Sequence, residues 1–145
     1  MEKSPLRLDD SFVGEVHLLS HSEADLGEEN VEVSVTNDYS RHVTERNRWL
    51  VRTKVVFGAT DGSVAAYSGS VEVTGYFTVV DDLEEERHRR CVAILCPGVL
   101  YSTAREIVAF LTGRNGSRRL LLPTVSFADE NILPEEIPEN GSSSI

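Results

Sequence analysis

Two cysteines, Cys91 and Cys96, are the residues with the most reactive side chains in this chain, and four histidines accompany them. Zinc-binding thiol pairs usually enclose a two-residue gap and need two further ligands. Here the gap is four residues, and although His88 is near, His17, His21 and His42 fall in other segments. The pair therefore reads as two thiols packed on a helical stretch, with no metal and no cofactor expected. A Cys–His nucleophile would need a base brought close in space, and no local signature marks one. Cys96 remains the residue on which a small acidic enzyme or ligand-binding domain would have to be built. No glycine-rich phosphate loop is present, because Thr60-Asp61-Gly62-Ser63 and Arg114-Asn115-Gly116-Ser117 carry turn chemistry.

Charge and aromatic residues narrow the chemistry further. The basic clusters are Arg87-His88-Arg89-Arg90 and Arg114 with Arg118-Arg119. Neither is interleaved with the aromatics that stack on single-stranded bases, and the first abuts Glu84-Glu85-Glu86. With 24 acids against 14 Lys plus Arg, the net charge of −10 repels phosphate backbones, so nucleic acid is not an expected partner. Trp49, Tyr67 and Tyr76 sit in extended segments, where an aromatic can pair across strands or line an apolar groove.

These residues need a scaffold, and the pattern supplies an α+β one. Phe12–Leu19 carries Phe12, Val16 and Leu18 among polar residues, and Val31–Val35 alternates at period two. Trp49–Phe57 is rich in β-branched and aromatic residues, and Asp61-Gly62 is a hairpin signal. From Val71 to Val79 the positions Val71, Val73, Phe77 and Val79 share one face, with Gly75 between them; Ser70, Glu72, Thr74, Tyr76 and Thr78 share the other. Four strands with short links predict an antiparallel sheet. Asp81 or Asp82 caps a short helix ending near Arg90, and Pro97 suits the start of a longer one. Val99, Leu100, Ala104, Ile107, Val108 and Leu111 then form one stripe at helical period, and Gly113 stops it.

The 145 residues fit one domain, divided as a flexible leader (1–10), a folded domain (11–133) and a disordered tail (134–145). The charged N-terminus has no apolar core of a signal peptide, and no apolar run of ~20 residues is seen, so neither secretion nor membrane insertion is expected. Free thiols then imply the cytoplasm.

Cys96-Pro97-Gly98-Val99-Leu100-Tyr101, Ala104-Arg105-Glu106-Ile107 and Leu122-Pro123-Thr124-Val125-Ser126-Phe127, in that order, resemble the SecB family of export chaperones. Gly75-Tyr76-Phe77-Thr78-Val79 is similar to the family's Gly-aliphatic-Phe strand, and the match runs roughly from residue 48 to 127. The resemblance implies a four-stranded antiparallel sheet with a long helix on one face, assembled as a homodimer or homotetramer. It also implies ATP-independent holding of unfolded polypeptides or preproteins in hydrophobic grooves, and transfer to the SecA motor. Ser70 stands where the family carries an acid of its SecA contact, and the tail from Glu135 to Ile145 lacks Lys and Arg where the family's is basic, so SecA contact is expected to be weak. Pro134 and Pro138 leave room for only a short second helix. On this reading Trp49, Tyr67, Tyr76 and Tyr101 are the client anchors, and Val71, Val73, Arg105 and Glu106 belong to the oligomer interface. A dedicated chaperone of one client, such as an antitoxin, is the related alternative.

Overall fold

Alternating β-branched and aromatic residues favour pleated strands because each strand can turn one row inward. In the computed structural model, which describes residues 3–21, 31–59, 65–114, 119–128 and 135–137, that pattern forms four long strands: β1 (Leu6–Ser20), β2 (Val31–His42), β3 (Arg48–Ala59) and β4 (Tyr67–Val79). They form an antiparallel sheet in the order β1-β4-β3-β2, followed by one helix, α1 (Glu85–Gly113). A three-residue strand, β5 (Glu135–Ile137), adds to β2 in parallel.

The strand faces separate as the sequence predicts for β4: Val71, Val73, Phe77 and Val79 are buried beneath α1, while Tyr76 lies on the opposite face and stays half-exposed. Trp49, Val51, Val55 and Phe57 continue the inner row on β3. Two glycines let chain segments approach closely. A Cβ on Gly75 would sit 2.6 Å from the Phe77 ring and 2.8 Å from Leu100 of the helix, and one on Gly69 would sit 1.9 Å from the His17 carbonyl oxygen of β1.

Three expected boundaries are corrected. Leu6–Asp10, read as leader, is paired strand, because Leu6, Arg7 and Leu8 have partners on β4. The short helix and the helix starting at Pro97 are one continuous helix with Pro97 inside it. Proline removes one intrahelical bond, but the turn is held by the sheet beneath: Ala93, Cys96, Pro97 and Leu100 are all buried there. Glu135–Ile137, read as disordered tail, is strand. The Asp61-Gly62 turn and the short helix expected beyond Phe127 lie outside the described residues.

Burying Leu100 fully contributes about 1.5–3 kcal/mol, and Val92, Cys96, Ala104 and Val108 extend the same face. The helix also holds an 18-residue stretch of mean hydropathy 1.4, long and apolar enough by composition to cross a membrane, which the run-length reading missed. Its apolar character is used in packing, with this face lying over β3 and β4. After α1, residues 119–128 return along it. The Leu120 N–H donates to Thr112 Oγ1 at 2.8 Å, Arg105 Nε donates to the Leu122 carbonyl at 2.9 Å, and the Tyr101 hydroxyl donates to the Pro123 carbonyl.

Candidate functional site

The densest group of polar side chains lies where the start of α1 meets β2 and β3. Arg41, 4% exposed, projects from the inner face of β2, and Trp49, 2% exposed, from the inner face of β3. Arg41 Nη1 pairs with Glu85 Oε2 at 2.6 Å, and its Nε donates to the Arg46 carbonyl. Its guanidinium carbon stands 5.1 Å from the centre of the Trp49 ring, a cation–π contact. Trp49 Nε1 donates to His88 Nε2 at 2.8 Å, and Arg41 Nη2 faces the same nitrogen at 3.4 Å. Two donors on Nε2 fix it as an acceptor, so His88 carries its proton on Nδ1. Burial, reinforced by the Arg41 charge, lowers the His88 pKa. The hydrogen bond from Arg41, with that from Arg89, brings Glu85 down to about 2.

A cavity of about 370 Å³ opens beside this cluster, between Arg41, Arg46, Asn47, Asp81, Glu85 and His88. Among the described residues, no buried side-chain polar atom lacks a partner. The buried members of the cluster therefore clamp the helix to the sheet, while the exposed Asp81 also lines the space. Cys96, fully buried with its pKa driven well up by burial, is a packing residue in an inactive thiol form. Among the described residues, no three His, Cys, Asp or Glu side chains are grouped to hold a metal.

The anticipated client anchors separate in space. Trp49, Tyr67 and Tyr101, 2%, 3% and 3% exposed, are core residues, so they are corrected as surface anchors. Each ring completes an inner row and has its polar atom hydrogen-bonded inside the fold. Tyr76 alone faces outward, beside Phe12 of β1 with ring centres 6.1 Å apart. Val71 and Val73, placed at an oligomer interface, are fully buried under α1 and are corrected likewise. Arg105 is committed to the Leu122 carbonyl, while Glu106 is exposed on the helix.

The open apolar surface lies mostly on residues the sequence reading passed over. Leu8, Val13 and Val16 of β1 pair with Phe77, Val73 and Val71 of β4 on the helix side of the sheet. Those β4 partners are buried, yet Leu8, Val13 and Val16 remain 43%, 43% and 38% exposed, because only the margin of α1 reaches β1. A second stripe, Leu95, Val99 and Phe110, faces away from the sheet on α1, and Phe110 is 60% exposed. Phe12, with Tyr76, supplies apolar surface on the outer face of the sheet. Alternation along β1 concealed these rows, because register shifts at Leu8/Asp10 and Val13/Glu15 place Phe12 and Val16 on opposite faces.

Comparison with known proteins agrees with this architecture. Residues 9–130 match the family described as preprotein translocase subunit SecB. The protein-export proteins SecB of two Acidithiobacillus ferrooxidans strains are each 35% identical over 77 residues, 53% of this chain and 51% of theirs. The chain thus spans about half the length of the curated relatives it matches. A Mycobacterium tuberculosis SecB-like chaperone, solved in complex with a ChAD peptide from the HigA1 antitoxin, superposes with a TM-score of 0.60 at 18% identity, covering 83% of this chain and 91% of that one. At that identity the likeness is one of fold, a four-stranded antiparallel sheet with one long helix. With a matched region running from within β1 past Phe127, the chain belongs to the SecB family.

Proposed function

We propose that this protein is an ATP-independent, non-enzymatic holdase that binds unfolded polypeptides or preproteins through exposed apolar surface and acts in the cytoplasm. The observation that carries this reading is the uncovered apolar surface of β1, α1 and the outer face of the sheet, on a fold whose buried side-chain polar atoms, among the described residues, all have partners. Exposed apolar area of this kind marks interaction sites on soluble proteins. The Phe12–Tyr76 pair is the client anchor on the outer face, bordered by Asp10 of β1 and by the Arg52–Glu72 ion pair. The row Leu8, Val13 and Val16 and the stripe Leu95, Val99 and Phe110 are the surfaces for self-association into a dimer or tetramer. The SecA contact is weak, since Ser70 lies on the outer face where the family pattern calls for an acid.

The test is aggregation of several chemically unfolded clients without nucleotide. The intact protein should suppress it at stoichiometric ratios, and Phe12→Ser with Tyr76→Ser should weaken suppression while circular dichroism stays unchanged. Aggregation left unaltered by excess intact protein would remove the general-holdase reading. SecA titration should give much weaker binding than an ordinary family member does; equal binding removes that part. The second reading, a chaperone dedicated to one client, is favoured by a specific observation: the structural neighbour was solved with an antitoxin peptide. A protein that protects one cognate partner and leaves unrelated unfolded chains to aggregate would fit that reading instead.

A further inference from the structure

The two halves of α1 are fastened to the sheet by different means. The second half carries Leu100, Tyr101, Ala104 and Val108, all buried, and the returning residues 119–128 are bonded to it at Tyr101, Arg105 and Thr112. The first half buries smaller apolar side chains, Val92, Ala93 and Cys96. It is held besides by the polar cluster, through the Arg41–Glu85 ion pair and the hydrogen bond from Trp49 Nε1 to His88 Nε2. Pro97 joins the halves. Its missing N–H leaves the Ala93 carbonyl without the usual intrahelical bond, so the helix backbone is least restrained there.

The cluster has one atom to which a proton cannot be added without loss. His88 Nε2 already accepts from Trp49 at 2.8 Å and faces Arg41 Nη2 at 3.4 Å. A proton taken from solvent onto Nε2 turns this acceptor into a donor, breaks the Trp49 bond and sets an imidazolium against a guanidinium. The charges around the ring are Arg41 of β2, Arg46 of the β2–β3 link, and Glu85 and Arg89 of α1 itself; Asp81 and Asp82 of the β4–α1 link line the cavity that His88 borders. Burial and the Arg41 charge prevail over Glu85 and hold the ring neutral below the usual histidine range. A lifted helix returns the ring to water, where it takes up its proton at about 6.5. Acid therefore favours the lifted form, and Glu85, at about 2, keeps its charge throughout this window.

We propose that the first half of α1, residues 85–96, is an acid-operated lid that pivots at Pro97 and uncovers a further apolar surface for unfolded polypeptide. That surface consists of Val92 and Cys96 on the lid with Trp49 and Val79 on the sheet, all members of one buried cluster. The proposal rests on the polypeptide-binding reading above and adds to it a condition under which binding increases. The second half of α1 stays in place, since its fastenings at Tyr101, Arg105 and Thr112 include no carboxylate or imidazole.

The experiment uses the full natural chain. Cys96, fully buried under the lid, reports its opening. Its labelling by dithiodipyridine, a disulfide that still reacts with thiols in mild acid, is located by fragment mass spectrometry, and each rate is divided by that of the urea-unfolded chain at the same pH. Hydrogen exchange over residues 100–112, corrected for its intrinsic pH dependence, follows the second half. The affinity of a reduced, carboxymethylated protein follows client binding. Between about pH 7.5 and about pH 5, Cys96 labelling and probe affinity should each rise roughly five- to tenfold, the effect of losing a hydrogen bond beside a charge, while exchange over residues 100–112 stays slow. His88→Gln, whose side-chain oxygen still accepts from Trp49, should remove both rises. Cys96 equally protected at both pH values overturns the inference, as does a rise that persists in a natively folded His88→Gln variant. So does exchange that quickens over residues 100–112 to the same degree, which is opening of the whole helix. If His88→Gln does not fold, labelling and exchange in the natural chain decide alone. Opening with probe affinity unchanged overturns the inference and leaves the holdase reading standing. Absence of probe binding at either pH overturns the polypeptide-binding reading itself, and the inference with it.

Discussion

Val73 and Val13 face each other across paired strands, yet the first is fully buried and the second 43% exposed. Position beneath α1 is what separates them. The helix lies over β3 and β4, and every inner residue there has a partner above it. One strand further out, the same apolar face emerges into solvent. Side chains of identical chemistry thus stabilise the monomer in one region and remain available to other chains in the neighbouring one. The holdase activity proposed above needs that division.

Substitutions can test how sharp the division is. The largest effect is expected at Leu100→Ala, which removes a fully buried side chain above Gly75 and should cost about 2–5 kcal/mol in urea unfolding. A cost near zero would mean that the covered region is not closed. Next is Gly75→Ala, whose added methyl would meet the Phe77 ring and Leu100, for an expected loss of about 1–3 kcal/mol. A neutral result would show that the helix can shift away from the sheet.

Acid should loosen the covered region from its helix end. His88 has a folded pKa below its unfolded value, so the unfolded chain binds the extra proton first and stability falls as pH drops below about 6.5. Protonation would also point an N–H from Nε2 at Trp49 Nε1 and Arg41 Nη2, while Arg46, Glu85 and Arg89 adjust the field around the ring. Glu85, folded near 2 against 4.5, contributes stability above 4.5 that is lost between 4.5 and about 2. His88→Gln, whose side-chain oxygen can still accept from Trp49, should flatten the decline between pH 6.5 and 5 and leave the lower step. An unchanged profile would remove His88 from the account. The smallest effect on the monomer is expected at Val13→Ser and Val16→Ser, within about 0.5 kcal/mol each. Light scattering should nevertheless show self-association weakened. If these variants unfold the chain, β1 belongs to the covered region after all.

The sequence disclosed the parts governed by local rules. Period-two alternation located β4 and its two faces, and helical spacing located the buried stripe through Leu100, Ala104 and Val108, although Val99, read into the same stripe, is 39% exposed and turned away from the sheet. The start of α1 was misplaced because Pro97 is a strong local signal for a first turn, and only packing against the sheet tolerates it in mid-helix. Trp49, Tyr67 and Tyr101 were misassigned because ring chemistry alone does not tell an aromatic that anchors a partner from one that completes a core. Arg41 and Trp49 are brought to His88 across 47 and 39 positions, a juxtaposition set by tertiary structure alone. The bulges in β1 likewise broke the very periodicity that would have exposed its two rows.

The pairing of β1 with β4 also governs how the chain can be born. Leu6 meets Val79, and Ser20 meets Tyr67, so β1, made before the other three long strands, has no partner until β4 has followed. At about 5–20 residues per second, Leu6 waits roughly 4–15 s for the residue it will face. The meander of β2, β3 and β4 has no such delay, for its neighbours are consecutive. During every round of synthesis, then, an unpaired apolar strand precedes its own fold into the cell, and the newborn protein passes through the same exposed condition that it is proposed to relieve in others.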